Sequence, residues 1–275
     1  MKQRSLLAQR IRDVRLAPDE IAVFFIAQAG FVFKTAAGVR LILDPYLSDC
    51  VEREVGFKRM TPNLLPAEDV EADIFAVTHS HLDHLDTDIL PILARKRGIS
   101  FVGSPDCAPL FAKAHLPERR CSILHRGESW TQGDIRIRAV YCDHGELAPD
   151  AVGFLISLGD ITVYNVGDSS LALDNIKASL GETSIDIMIA PINGVYGNLN
   201  EEESCRLASA LKPRVMIPSH FGMFVEQGGS PLQFLTHAAK LTGITPALMA
   251  PGECIRYSKA RGLTARNTLR QNINE

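Results

Sequence analysis

No stretch of the sequence reaches the roughly 18 consecutive apolar residues that a membrane-spanning helix needs. The opening MKQRSLLAQRIRDVRL is charged throughout, where a secretory signal would carry an apolar core of about 7–15 residues. Together these absences speak against a membrane partner and make the cytoplasm the expected location. The six cysteines (50, 107, 121, 142, 205 and 254) form no C-x-x-C pair. They read as reduced, partly buried thiols and not as a disulfide framework or a thiolate metal site. No long run of Lys or Arg occurs and the formal net charge is −3, which argues against nucleic acid as a partner. The phosphate-cradling and dinucleotide glycine fingerprints are missing. So is the G-x-S-x-G elbow of serine hydrolases, and Ser219 beside His220 is only a sequence neighbour.

What is present is an ordinary globular composition, 46% hydrophobic and 22% charged over 275 residues. Strand-like runs at 21–27, 30–35 and 39–44 read as an antiparallel meander closed by Asp44-Pro45. Residues 49–70 read as a long loop with short helical pieces. Strand 73–78, helix 86–97, strand 99–103 and helix 105–115 then alternate, as in an α/β layer. The second half repeats the plan. Strands at 134–142, 151–159 and 161–167 lead to a helical piece near 170–180 and strand 186–192. Helix 201–212, strand 214–219, helix 231–242 and strand 253–258 follow. The expectation is a single domain over 21–258, an α/β four-layer αββα sandwich of two pseudo-equivalent halves. Leu6, Leu7, Ile11 and Val14 recur at helical spacing, so residues 1–20 read as a helical extension packing on the body or on a partner. A homo-oligomer is compatible with that. Residues 259–275 read as a polar, mobile tail.

The densest chemistry lies in VTHSHLDHLD, residues 77–86. His79 and His81 stand two apart just past a strand and share a side, and Asp83 and His84 follow as the chain turns. An N-cap would account for one acidic residue there, Asp83 or Asp86, but not for three histidines at H-x-H-x-D-H spacing. The same event recurs at three later strand ends, with His144 in YCDHGE, Asp168 in NVGDSS and His220 in IPSHFG. Strands of one sheet layer tend to end on a common edge, where sites in open α/β sheets collect. Seven such ligands exceed what one tetrahedral ion uses, while two ions sharing a carboxylate could use them all. His115, His125 and His237 sit in unremarkable helix or loop contexts.

H-x-H-x-D-H followed by His, Asp and His resembles the metallo-β-lactamase-fold hydrolases over roughly residues 20–257. The resemblance implies the αββα sandwich. It also implies that His79, His81 and His144 form one site and Asp83, His84 and His220 a second, with Asp168 bridging. DPYLSD (44–49), GFKRMTPN (56–63), DHGELAPDAVGF (143–154), VYNVGDSS (163–170) and PINGVYGNLN (191–200) further resemble the L-ascorbate-6-phosphate lactonase branch. That branch opens the lactone ring of a phosphorylated sugar acid and is associated with manganese, although its members are longer than this chain.

A divalent ion lowers the pKa of a bound water from 15.7 to about 7, giving a hydroxide that can attack a lactone carbonyl. Asp83 is expected as a ligand and as the catalytic group that shuttles a proton to the leaving alkoxide. Asp44 could take the outer N–H of a ligating histidine. An all-His/Asp set suits one or two ions of Zn or Mn, with Fe admissible. Zinc is the default of the wider fold, and manganese is what the nearer resemblance implies. A phosphorylated small-molecule substrate would call for cations, and Lys58, Arg59 and Arg53 in the preceding loop are the candidates. Asn193 and Tyr196 could line the pocket. Two other readings use the same residues: a phosphodiesterase acting on a nucleotide or phospholipid, and a non-enzymatic metal-binding or di-iron sensing scaffold.

Overall fold

Side chains of the run EIAVFFIA alternate between faces, as they must in a strand, and both faces are buried. Val23 and Phe25 enter one apolar layer, and Ala22 and Phe24 enter another. A strand sealed on both sides belongs inside a layered α/β fold. The computed structural model, which describes residues 4–267, has that architecture. The first sheet contains β1 (Glu20–Ala27), β2 (Gly30–Thr35), β3 (Arg40–Leu43), β4 (Ile74–Val77), β5 (Ser100–Gly103) and β6 (Cys121–Ile123). The second contains β7 (Ser129–Gln132), β8 (Ile135–Tyr141), β9 (Val152–Leu158), β10 (Ile161–Asn165), β11 (Ile187–Pro191), β12 (Val215–Ser219) and β13 (Thr245–Pro246). The chain then returns to the first sheet as β14 (Cys254–Ser258) and β15 (Gly262–Asn267), giving the order β15-β14-β1-β2-β3-β4-β5-β6.

Both sheets begin antiparallel, through β1–β3 and through β7–β10. Both continue parallel, through β3–β6 and through β10–β13. The two halves therefore follow one plan, and their facing surfaces enclose the central core of Phe25, Phe33, Leu43, Phe154, Ile156 and Ile189. Helix α1 (Leu6–Asp13) precedes the sheets, and α2 (Cys50–Val55) follows β3. Helices α1, α3 (Leu90–Arg95) and α4 (Ala108–Lys113) cover the outer face of the first sheet. Helices α5 (Leu173–Leu180), α6 (Glu201–Leu211) and α7 (Pro231–Ala238) cover that of the second. Among the described residues no helix is long and apolar enough to cross a membrane.

Helix α1 packs Leu7 and Ile11 on the sheet and leaves Leu6 exposed. Lys34 of β2 donates to the carbonyls of Ile11, Arg12 and Val14 at 3.1, 2.6 and 3.1 Å, satisfying the carbonyls that a helix end leaves unpaired. Residues 1–3 of the expected extension lie outside the described residues. Two expectations are corrected. The helix expected over 86–97 spans only Leu90–Arg95. Asp86 turns inward to accept from the Leu47 N–H and the Ser48 hydroxyl, at 2.8 Å each, and from the Asp88 N–H at 3.1 Å, and residues 87–89 form a turn. The polar segment from 259 is not all tail, since β15 pairs antiparallel with β14. An edge strand has solvent on one side and so accommodates polar side chains. Residues 268–275 lie outside the described residues.

Candidate metal centre

The parallel order of β3 and β4 puts their C-terminal ends on one edge, delivering Asp44 and then His79 to His84. In the second sheet β8, β10 and β12 run the same way, so His144, Asp168 and His220 arrive at one edge. The ligand-type side chains thus come from both sheets and not, as expected, from the strand ends of one layer. Backbone bonds hold the edges together, Val152 N–H to the Thr78 carbonyl at 3.1 Å and His220 N–H to the Gln28 carbonyl at 2.8 Å.

All seven residues singled out in the sequence meet here. The His79 Nε2 and His81 Nδ1 atoms lie 2.9 Å apart, and His144 Nε2 is 3.3 Å from His81 Nδ1. Asp168 reaches across the cluster: one carboxylate oxygen is 3.2 Å from His84 Nε2, and the other is 3.1 Å from His220 Nε2 and 3.9 Å from His144 Nε2. The Asp83 Oδ2 atom is 3.3 Å from His220 Nε2 and 4.0 Å from His84 Nε2. Three sets have their ligand atoms within 4.8 Å of one another, namely His79, His81 and His144; His79, His84 and Asp168; and Asp83, His84 and His220.

For two of the rings the surroundings fix which nitrogen faces inward. The outer ring nitrogen of His81, Nε2, points at the Leu147 carbonyl 3.2 Å away, leaving Nδ1 inward. His84 Nδ1 points at Asp44 Oδ2, 3.1 Å away, leaving Nε2 buried and inward, close to Asp168 but not aligned for a hydrogen bond. Asp44 is fully buried and held in turn by the N–H and hydroxyl of Thr78, at 2.8 Å each. Its φ of 43° is left-handed, a strained geometry for a residue with a Cβ. His220 is also left-handed, at φ 59°.

Burial disfavours charge throughout the cluster, and its balance against the two carboxylates sorts the histidines. Burial, reinforced by His84, pushes His79 well below the usual histidine range, and burial takes His144 down to about 4. On His84 and His220 burial pulls the same way, but Asp168 and Asp83 outweigh it. His84 is lifted well above the usual range and His220 to about 9. Burial would raise the carboxylates, yet His220 and His84 hold both Asp168 and Asp83 well below the usual range. Neutral imidazoles on one side, carboxylates drawing positive charge on the other and a buried inward nitrogen without an aligned hydrogen bond together fit a divalent cation. All donors are nitrogen or oxygen, since none of the six free cysteines belongs to the three ligand sets.

Five of the seven, His81, Asp83, His144, Asp168 and His220, line the floor of an open pocket of about 350 Å³. Tyr196 and Asn198 line it, but Asn193 does not; its amide turns back toward the Val195 carbonyl at 3.4 Å. The three basic residues do not line it either, which corrects the expected cationic mouth. Arg59 donates to the carbonyls of Ser48 and Thr61 at 2.9 and 2.8 Å and stacks over Tyr46. Arg53 pairs with Asp88 and Glu54, and Lys58 is exposed away from the walls. The loop that carries them is tied to the segment after His220 by Met60 N–H to the Met223 carbonyl, at 2.7 Å.

Sequence reasoning misses three amides. The Gln28 Nε2 atom donates to Asp83 at 2.8 Å and to Gln227 Oε1 at 2.6 Å, and Gln227 Nε2 donates to Asp83 at 3.2 Å. Asn198 donates to Asp168 at 2.8 Å. The only signal in the chain is that AQAG and NGVYGN are turns beside ligand-bearing strand ends.

Comparison with known proteins gives a consistent result. Residues 22–220 match the family described as "Beta-lactamase superfamily domain". A UPF0173 metal-dependent hydrolase of Carboxydothermus hydrogenoformans is 22% identical over 241 residues, spanning 85% of this chain and 98% of its own length. A protein of the same description from Pyrobaculum islandicum is 24% identical over 235 residues, spanning 84% and 98%. Igni18, a metallo hydrolase from Ignicoccus hospitalis, has a similar structure, with a TM-score of 0.69 at 18% identity over 87% of this chain and 99% of that one. The metallo-beta-lactamase fold protein YhfI from Bacillus subtilis gives 0.65 at 19% identity over 86% and 99%. Two matched sheets, helices on both outer faces and a His/Asp cluster at the shared edge accompany a family match over most of the chain, which therefore belongs to the beta-lactamase superfamily.

Proposed function

We propose that this chain is a metal-dependent hydrolase of small molecules, and that the bond it cleaves is an ester, in particular that of a lactone. His79, His81 and His144 would hold one divalent ion and Asp83, His84 and His220 a second, with Asp168 reaching both; Zn and Mn suit the donor set, and Fe is admissible. Bound there, such ions supply Lewis acidity toward a carbonyl oxygen and make water nucleophilic at neutral pH.

The observation that carries the reading is the placement of this cluster on the floor of an open pocket. A purely structural ion is enclosed by its ligands, whereas a catalytic one needs approach from solvent. That favours an enzyme over a sensing scaffold. In the reaction the water oxygen joins the acyl carbon, the ring C–O bond breaks and the leaving oxygen gains a proton. Asp83 faces the pocket, and the amides of Gln28 and Gln227 fix its carboxylate. It takes the proton from the attacking water and returns it to the leaving alkoxide. Gln28 and Gln227 keep that carboxylate aimed, and Asn198 does the same for Asp168.

The test is metal content of the purified protein, paired with lactone hydrolysis before and after chelation. About two ions per chain with chelator-sensitive ring opening is the expected result. Bound metal without turnover of any lactone or simple ester would remove the reading.

A further inference from the structure

We propose that the pocket selects an uncharged substrate carried by an apolar or aromatic group, and not a phosphorylated one; the inference rests on the hydrolase reading above. Outside the cluster the lining is mostly apolar or aromatic, Val51, Val55, Phe57, Leu82, Leu147 and Tyr196, with the uncharged Ser80, Asn198 and Gln227 as its polar members. Val51 and Val55 stand four apart on α2 and so present one face. The Phe57 ring lies 6.4 Å from that of Tyr196 and 6.2 Å from that of Phe224, centroid to centroid, so aromatic contacts join the loop of Phe57 to the segments that carry Tyr196 and Phe224. Val55, Leu147 and Tyr196 remain 54%, 56% and 47% exposed at the rim. An apolar substrate would cover them and gain the free energy of removing that surface from water.

The charges point the same way. Among the described residues that line the pocket, the ionisable side chains other than the Tyr196 phenol are His81, Asp83, His144, Asp168 and His220, all in the cluster on the floor. No Lys or Arg is among them. Arg53 and Arg59 are committed to Asp88 and to backbone carbonyls, as described. A phosphate dianion held away from the floor would lose its water shell against Val, Leu and Phe with no counter-charge. The volume of about 350 Å³ is at the small end of the range for small-molecule sites, suited to one ring and a short chain.

The experiment compares γ-lactones of increasing alkyl length, from γ-butyrolactone to γ-decalactone, with 6-phosphogluconolactone on the metal-loaded protein. In parallel, calorimetry measures the affinity of the matching neutral alkanamides, a readout that needs no turnover. Burial of each added methylene should raise kcat/KM and affinity about fourfold until the pocket is full. Phe57→Ala and, separately, Tyr196→Asn should flatten that slope. Asn suits the left-handed backbone at 196 (φ 54°), so the second variant stands if the first fails to fold. A flat series, or preference for the phosphorylated lactone, overturns the proposal while leaving the hydrolase reading intact. If no lactone is opened, the lactone part of the reading falls and the amide series alone decides: rising affinity supports an apolar pocket, and flat affinity defeats it.

Discussion

At the scale of single residues, Asp44 shows how much of a site lies behind its ligands. Its carboxylate accepts from Thr78 and faces His84 Nδ1, which fixes the ring so that Nε2 faces inward. Removing such an outer partner generally costs about 10–100-fold in metal affinity. Asp44→Asn is expected to weaken binding by that factor in a competitive chelator titration; unchanged affinity would remove Asp44 from this role. His81→Ala and Asp168→Ala are expected to reduce lactone hydrolysis to background while thermal melts still show a cooperative fold. Full activity in either variant would defeat the ligand assignment. All seven ligand-type residues were legible in the sequence, because histidines repeated at strand ends are costly to explain otherwise. Gln28, Gln227 and Asn198 were not, since an amide in a turn carries no periodicity and gains meaning only from the carboxylate it meets.

At the scale of elements, β15 changes the account of the C-terminal segment. The Thr264 hydroxyl donates to Glu20 at 2.7 Å, and the Ala17 N–H donates to the other carboxylate oxygen at 3.0 Å. The Ala17 N–H is the main cause that holds Glu20 below the usual glutamate range; burial opposes it, and Thr264, Arg256 and Arg261 assist. A carboxyl depressed in the folded state binds fewer protons there than in the unfolded chain, so its contribution rises with pH. That contribution is fully present above the ordinary glutamate value of about 4.3 and is lost as pH falls through the lower folded value. Glu20→Gln is expected to cost roughly 1–3 kcal/mol at neutral pH in urea denaturation. The gap from the parent protein should close below about pH 4; a gap that persists there would contradict the linkage. Strand periodicity located β1 and β2 well, but β6, β7 and β13 span only two to four residues and are partly exposed, too short for alternation to register.

At the scale of the whole molecule, the centre joins two sheets that otherwise meet chiefly through apolar packing. A ligand that binds only the folded state stabilises it by mass action, about 2.7 kcal/mol at a hundredfold excess over Kd. Metal loading is therefore expected to raise Tm by several degrees, and chelation to reverse it. Identical melts in both states would show that the ligands are not brought together by a bound ion in solution. The link runs through His79 to His84 on one sheet and His144, Asp168 and His220 on the other, so losing ligands from either side should cancel the shift.

The sequence by itself determined the layered architecture and the identity of the cluster. Near-continuous apolar runs rich in β-branched and aromatic residues, such as IAVFFIA, fit strands with two covered faces, and a histidine-rich strand end has few other uses. Tertiary structure alone decided that the ligands come from both sheets, because which strand ends share an edge depends on pairing direction and not on local pattern. It also decided the character of the pocket. Lys58 and Arg59 stand beside Phe57 in the chain, yet Phe57 faces the cavity while Arg59 turns to the carbonyls of Ser48 and Thr61. A guanidinium goes where unpaired backbone carbonyls await it, and those carbonyls take their positions only when the loop has folded.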